Sequence, residues 1–289
     1  MKMWRITRLQ QWGRSLVPWG FPVIYLGWAY LFWFPIFGSE TSVWEGTNLI
    51  LFLTGGASPL LAGLTMAWVT GGSERVRDLG RRLVDVRRIS SKWWLIILVF
   101  WPLFNLITAG AAVVLGITDR PIGFVWEILT DPGTLVFMLS LGLFFPAIEE
   151  IGLRGYYLDR LQERFTPVFA GIINGGIWAM WHAAFVFFPG YYANTSYNPA
   201  LWWWMPSIVL HTLIFVWVYN NTERSVLAVV LIHSLMNLTG EFLGLADEMF
   251  PFQLPALVLV VAVLVASDQL SDPSITLEES RPTDDKGFR

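Results

Sequence analysis

The chain has 289 residues, 55% of them hydrophobic and 14% charged, with a mean hydropathy of +0.53. This balance excludes an ordinary soluble domain and implies an integral membrane protein. The absence of cysteine rules out disulfides, thiolate metal sites and cysteine nucleophiles, and the formal net charge of −3 matters less than where the charges fall.

Apolar runs of roughly 17–25 residues, the length that crosses the hydrocarbon core, can be placed eight times. They lie near Val17–Phe37, Thr47–Val69, Trp93–Leu115, Gly133–Ile151, Pro167–Phe188, Ala200–Tyr219, Ser225–Leu243 and Phe252–Ala266. Seventeen tryptophans, clustered as in Trp93-Trp94 and Trp202-Trp203-Trp204, stand at the edges of these runs as interface belts. Pro18, Trp19 and Pro22 open the first run, so it does not read as a cleavable signal peptide. The expected fold is all-α: a polytopic helix bundle of about eight transmembrane helices in a single domain, 1–266, with a core at 133–240.

Between the second and third runs, Val76, Leu79, Leu83 and Val86 recur at helical spacing with arginines on the other faces. This predicts a cytoplasmic amphipathic helix lying on the membrane surface. Gly171 and Gly175 form a small-xxx-small pair that predicts a close helix contact. The polar, acidic, proline-containing stretch 267–289 reads as a disordered cytoplasmic tail.

Basic residues set the orientation. With a cytoplasmic amino terminus, eight crossings put Lys2, Arg5, Arg8, Arg14, the run Arg75 to Lys92, Arg154, Arg160, Arg164, Arg224 and the tail inside, leaving only Arg120 of nineteen outside. The expected location is the plasma membrane, with both termini cytoplasmic. The bilayer is the expected surrounding partner, and nucleic acid is not a partner. The sequons at Asn194, Asn220 and Asn237 carry little weight, because two fall on the inner side or within the membrane.

Few ionisable groups lie inside the runs. A charged side chain at the bilayer centre costs about 2.5–3.5 kcal/mol on insertion scales, so such groups mark function by default. Glu149 and Glu150 stand at the cytoplasmic end of the fourth run, with Arg154 one turn on. Glu150 and Arg154 are four apart and can pair, whereas Glu149 points about 100° away and stays available. Trp178 and His182 share a helix face in the fifth run, and His233 and Asn237 share one in the seventh. A free carboxylate, two imidazoles and an amide suit water activation with oxyanion stabilisation. They equally suit a catalytic metal with one carboxylate and two histidines. His211 matches no motif and reads as a packing or hydrogen-bonding residue.

Three ordered motifs, Glu149-Glu150-Ile-Gly-Leu-Arg154, Trp178-Ala-Met-Trp-His182 and His233-Ser-Leu-Met-Asn237, resemble those of the CPBP intramembrane proteases. This is the Abi or CAAX-protease family, which includes the Ras-converting prenyl endopeptidase. The resemblance covers about Gly133 to Gly240. It implies an endopeptidase in which Glu149 and His182 activate water, His233 and Asn237 stabilise the oxyanion, and Glu150, Arg154 and Trp178 support them. It also implies a peptide or protein substrate, either a prenylated CAAX sequence, a leader peptide or a membrane segment. Trp178 stands where phenylalanine is usual. Some accounts of the family assign a metalloprotease, in which Glu149, His182 and His233 would hold zinc. Gly55-Gly-Ala-Ser58 only faintly resembles a rhomboid serine motif, and no Gly-x-Gly-Asp or His-Glu-x-x-His occurs. The same buried polar groups would also serve a non-catalytic membrane scaffold or a proton-coupled transporter, although no inverted repeat is evident.

Overall fold

A computed structural model describes residues 13, 15–193, 197 and 199–270. Lys2, Arg5, Arg8, Arg14, Asn194 and the tail beyond Leu270 lie outside the described residues. The helices in chain order are α1 (Gly20–Trp33), α2 (Gly46–Gly56), α3 (Ser58–Val84), α4 (Ser91–Val114), α5 (Pro132–Gln162), α6 (Pro167–Ala183), α7 (Leu201–Asn220), α8 (Val226–Leu243) and α9 (Met249–Ala266). Among the described residues, seven helical segments are long and apolar enough to cross a membrane, α2 and α3 together making one of them. The first expected run, Val17–Phe37, is present as the shorter apolar helix Gly20–Ile36. The protein is therefore a multi-pass helical bundle. Among the described residues there is no named strand, only an isolated antiparallel bridge between Ile122 and Leu245.

Gly72, at φ +66°, breaks α3, which only glycine does without strain. The segment after it, Ser73–Val84, is amphipathic as expected: Leu79 is buried, Val76 and Leu83 are half-buried, and Arg77 and Arg81 are exposed. Val86 departs from the pattern. It lies past the helix in a short 3-10 turn and is 53% exposed, because Asp85 leaves helical geometry and accepts the Arg87 backbone N–H. The tail also departs from expectation at its start, where Leu270 is buried and the Trp217 indole donates to Gln269.

The connections sort onto two ends of the bundle. At the basic end, Arg82 of α3 and Arg224 of the α7–α8 turn both meet Asp159 near the end of α5. At the other end, Val43 bonds Pro189, and segment 121–125 pairs with the end of α8 around Gly244. Gly244 caps α8 at φ +50°, and a Cβ there would lie 2.2 Å from the Gly123 carbonyl oxygen. The loops thus alternate between ends as the basic-residue pattern requires.

The small residues on α6 work as expected. A Cβ added to Gly175 would lie 2.9 Å from Val209 Cα, and one on Gly171 2.6 Å from Leu213, so α6 packs tightly on α7. The α3–α5 contact is closer still. A Cβ on Gly152 would come within 2.0 Å of the Pro59 carbonyl oxygen, and Gly63 faces Gly152 in return. This backbone contact fixes the helix that carries the acid pair.

Candidate active site

α5 is longer than its apolar run suggested. It continues from Ile151 to Gln162, so Arg154 sits inside the bundle rather than at its edge, and the acid pair is about 18 Å of helix from the basic end. Asp131 caps the helix by accepting the Thr134 backbone N–H at 2.6 Å, which holds its carboxyl below the ordinary carboxylate range. Two π-helical stretches, Ser140–Phe144 and Leu153–Leu158, bracket the α-helical turns that bear Glu149 and Glu150. Such wide turns recur at functional sites, because each shifts the facing of the residues beyond it.

The two adjacent acids have different surroundings. Glu150 is fully buried, and its Oε1 receives both Arg154 Nη1 at 2.8 Å and the hydrogen bond with His233 Nδ1 at 2.8 Å. The expected Glu150–Arg154 pair is therefore present. His233 joins it, which spacing along the chain could not show. Glu149 is 7% exposed, and its Oε2 accepts the Trp178 indole N–H at 2.6 Å. Among the described residues it makes no ion pair, as expected, but it is held by an indole that phenylalanine could not replace.

Trp178 organises the cluster. Its ring meets His182 and His233 edge to face, with centroids 5.0 and 5.2 Å away. Arg154 lies over it at 4.6 Å and over Phe215 at 5.0 Å, a cation–π arrangement that gains weight away from water. Arg154 Nη2 also donates to Thr212 at 2.9 Å. Thr212 and Phe215, both on α7, were not singled out from the sequence. A lone threonine in an apolar run was the only signal, and it is a weak one.

Both imidazoles have one nitrogen assigned by its partner. His182 Nδ1 lies 3.2 Å from the Trp178 carbonyl, which can only accept, so the neutral ring leaves Nε2 with a lone pair. His233 Nδ1 faces the Glu150 carboxylate in the same sense. Asn237, one turn beyond His233 on α8, is half-buried, and its side chain makes no hydrogen bond among the described residues. Ser58, of the faint serine motif, is buried and accepts the Trp181 indole N–H at 3.0 Å. His211 packs edge-on against Trp101.

Among the described residues, no three His, Asp or Glu side chains are placed to hold a metal ion. Each ring has Nδ1 engaged, as the second nitrogen of a zinc-bound histidine ordinarily is, and Nε2 open, but Glu149, His182 and His233 are not grouped closely enough to form the zinc set.

Buried acids, imidazoles and an arginine on three neighbouring helices of a multi-pass bundle define the class: an integral membrane protein with a buried polar cluster inside the bundle. Residues 131–239, which carry all three motifs, match the family model described as type II CAAX prenyl endopeptidase Rce1-like. The chain is also 25% identical over 247 residues to a CAAX prenyl protease 2 of Methanococcus maripaludis, a match covering 83% of this chain and 90% of that protein. The resemblance read from the motifs is thus found independently over most of the chain.

Proposed function

We propose that this protein is an intramembrane endopeptidase that hydrolyses a peptide bond of a prenylated carboxy-terminal CAAX substrate. The similarity to prenyl endopeptidases supports the endopeptidase. The observation that carries the mechanism is the unequal treatment of the adjacent acids. Glu150 is committed to Arg154 and His233, whereas Glu149 has one oxygen held by Trp178 and is the less buried of the two, at 7% exposed.

In this reading Glu149 takes the proton from water as its oxygen attacks the scissile carbonyl, and the free nitrogen of His182 accepts a hydrogen bond from that water and orients it. The oxyanion is met by the Asn237 carboxamide and by His233. For His233 to donate from Nε2 while Nδ1 faces Glu150, both ring nitrogens must carry a proton. The proton held by Glu149 then passes to the leaving amine as the carbon–nitrogen bond breaks. Trp178 is a positioning residue, fixing the Glu149 carboxylate and the edges of both imidazoles. The basic end faces the cytoplasm by the positive-inside rule.

The test is cleavage of a farnesylated CAAX peptide and its unprenylated counterpart by protein reconstituted in liposomes. Because each buried methylene is worth about 0.8 kcal/mol, the prenylated peptide is expected to be cut about tenfold faster or more. Equal rates would overturn the prenyl specificity, and failure to cut either would overturn the endopeptidase.

A further inference from the structure

At the basic end, a second cluster gathers where Ser73–Val84, the end of α5 and the α7–α8 turn converge. Asp159 accepts from Arg82 Nη1 at 3.1 Å, from Arg224 Nε at 3.0 Å and from the Tyr219 hydroxyl at 2.7 Å. Arg82 also donates to the Gly155 carbonyl at 2.7 Å and pairs with Asp78 at 2.9 Å. Beside these bonds lies a cavity of about 160 Å³, several times the roughly 30 Å³ share of one water. Its walls include Arg75, Arg82, Arg160 and Arg224 against only two carboxylates, Asp78 and Asp159.

The surplus positive charge belongs to particular residues. Arg75 donates to the Thr70 hydroxyl at 2.9 Å and makes no ion pair among the described residues. Arg160 pairs outward with Glu163, whose side chain is 46% exposed. The side chains of Arg160 and Arg224 remain 16% and 28% exposed, so the cavity has an open side. Guanidinium groups of this kind recognise phosphate oxygens through paired N–H donors. Basic pockets between membrane helices at the headgroup level are suited to anionic lipids.

We infer that this cavity is an anion site for a phosphate group, supplied either by an anionic phospholipid headgroup or by free phosphate. It is separate from the acid and histidine centre, although Gly155, which Arg82 holds, directly follows Arg154 on α5. Occupancy would brace the basic end of the helix that bears the acid pair.

The experiment uses the full chain in nanodiscs of phosphatidylcholine. One arm adds phosphatidylglycerol in increasing proportion and the other adds inorganic phosphate. The readouts are the thermal midpoint and the lipid retained in native mass spectrometry. Both are taken for wild type, for Arg75→Gln with Arg160→Gln, and for Arg77→Gln with Arg81→Gln, which removes the same charge from exposed positions.

Wild type is expected to be stabilised, by phosphatidylglycerol alone if the source is lipid and also by phosphate if the free ion suffices. At about fivefold per guanidinium, the cavity pair should weaken apparent affinity about 25-fold. The exposed pair should change it by no more than about twofold, as expected for screened surface charge. Asp159 keeps Arg82 and Arg224 in the cavity pair, so folding is expected. Should that pair fail to fold, Arg75→Gln alone makes the same comparison, with about a fivefold loss. Absence of stabilisation by either anion, or equal losses in cavity and surface variants, would overturn the site.

Discussion

α5 carries two buried carboxylate–guanidinium centres that are wired differently. Around Asp159, two arginines and a tyrosine converge from α3, α7 and the turn after it, so the carboxylate is held from several sides. Around Glu150, one oxygen takes both Arg154 and His233, and among the described residues the other is buried without a partner and the neighbouring Glu149 has only an indole. A saturated pair fastens helices together. An incompletely saturated one, costly to maintain in a low-dielectric interior, leaves groups available to a substrate.

Substitutions can break this comparison. The largest effect is expected from Glu149→Gln, which keeps the shape and the Trp178 contact but removes the proton acceptor. Cleavage should fall about 10³-fold, within the range for general acid–base groups, while the thermal midpoint stays near wild type. Asp159→Asn should do the reverse. Leaving buried arginines uncompensated costs about 3 kcal/mol or more of stability, read by denaturation in detergent, and active-site chemistry should persist in the fraction still folded. A large loss of cleavage with full stability in Asp159→Asn would collapse the distinction.

Smaller effects sharpen it. Trp178→Phe keeps an aromatic face for Arg154 but deletes the donor to Glu149, so kcat should fall about tenfold, as for loss of one charge-assisted hydrogen bond. KM should change little, and stability should fall by less than activity. Gly244→Ala, remote from both centres, meets a left-handed φ and the Gly123 carbonyl together. It should cost about 1–2 kcal/mol of stability with kcat per folded molecule unchanged.

The eight runs and the alternation of basic loops were legible because membrane depth imposes length and charge rules on any chain. So was the i, i+4 pairing of Glu150 with Arg154, which is local geometry. The His233–Glu150 contact joins residues 83 apart, and nothing in their spacing encodes it. Thr212 and Phe215 were invisible for the same reason: their role comes from the close α6–α7 packing, not from their own pattern. The length of α5 exceeds the apolar run because hydropathy ends at Ile151, whereas Arg154 is paid for by Glu150 on the same helix and Thr212 on α7, and Asp159 by Arg82, Tyr219 and Arg224. Leu270 shows the converse, an apolar residue in a polar tail that finds a core.

The most direct measurement is cleavage of the farnesylated CAAX peptide by wild type, Glu149→Gln and Asp159→Asn in the same liposomes, with folded protein quantified and metal content determined on each sample. Wild type should cut the peptide without stoichiometric metal, Glu149→Gln should bind it without cutting, and Asp159→Asn should cut in proportion to what is folded. Undiminished cleavage by Glu149→Gln would contradict the assignment of the reaction to this carboxylate.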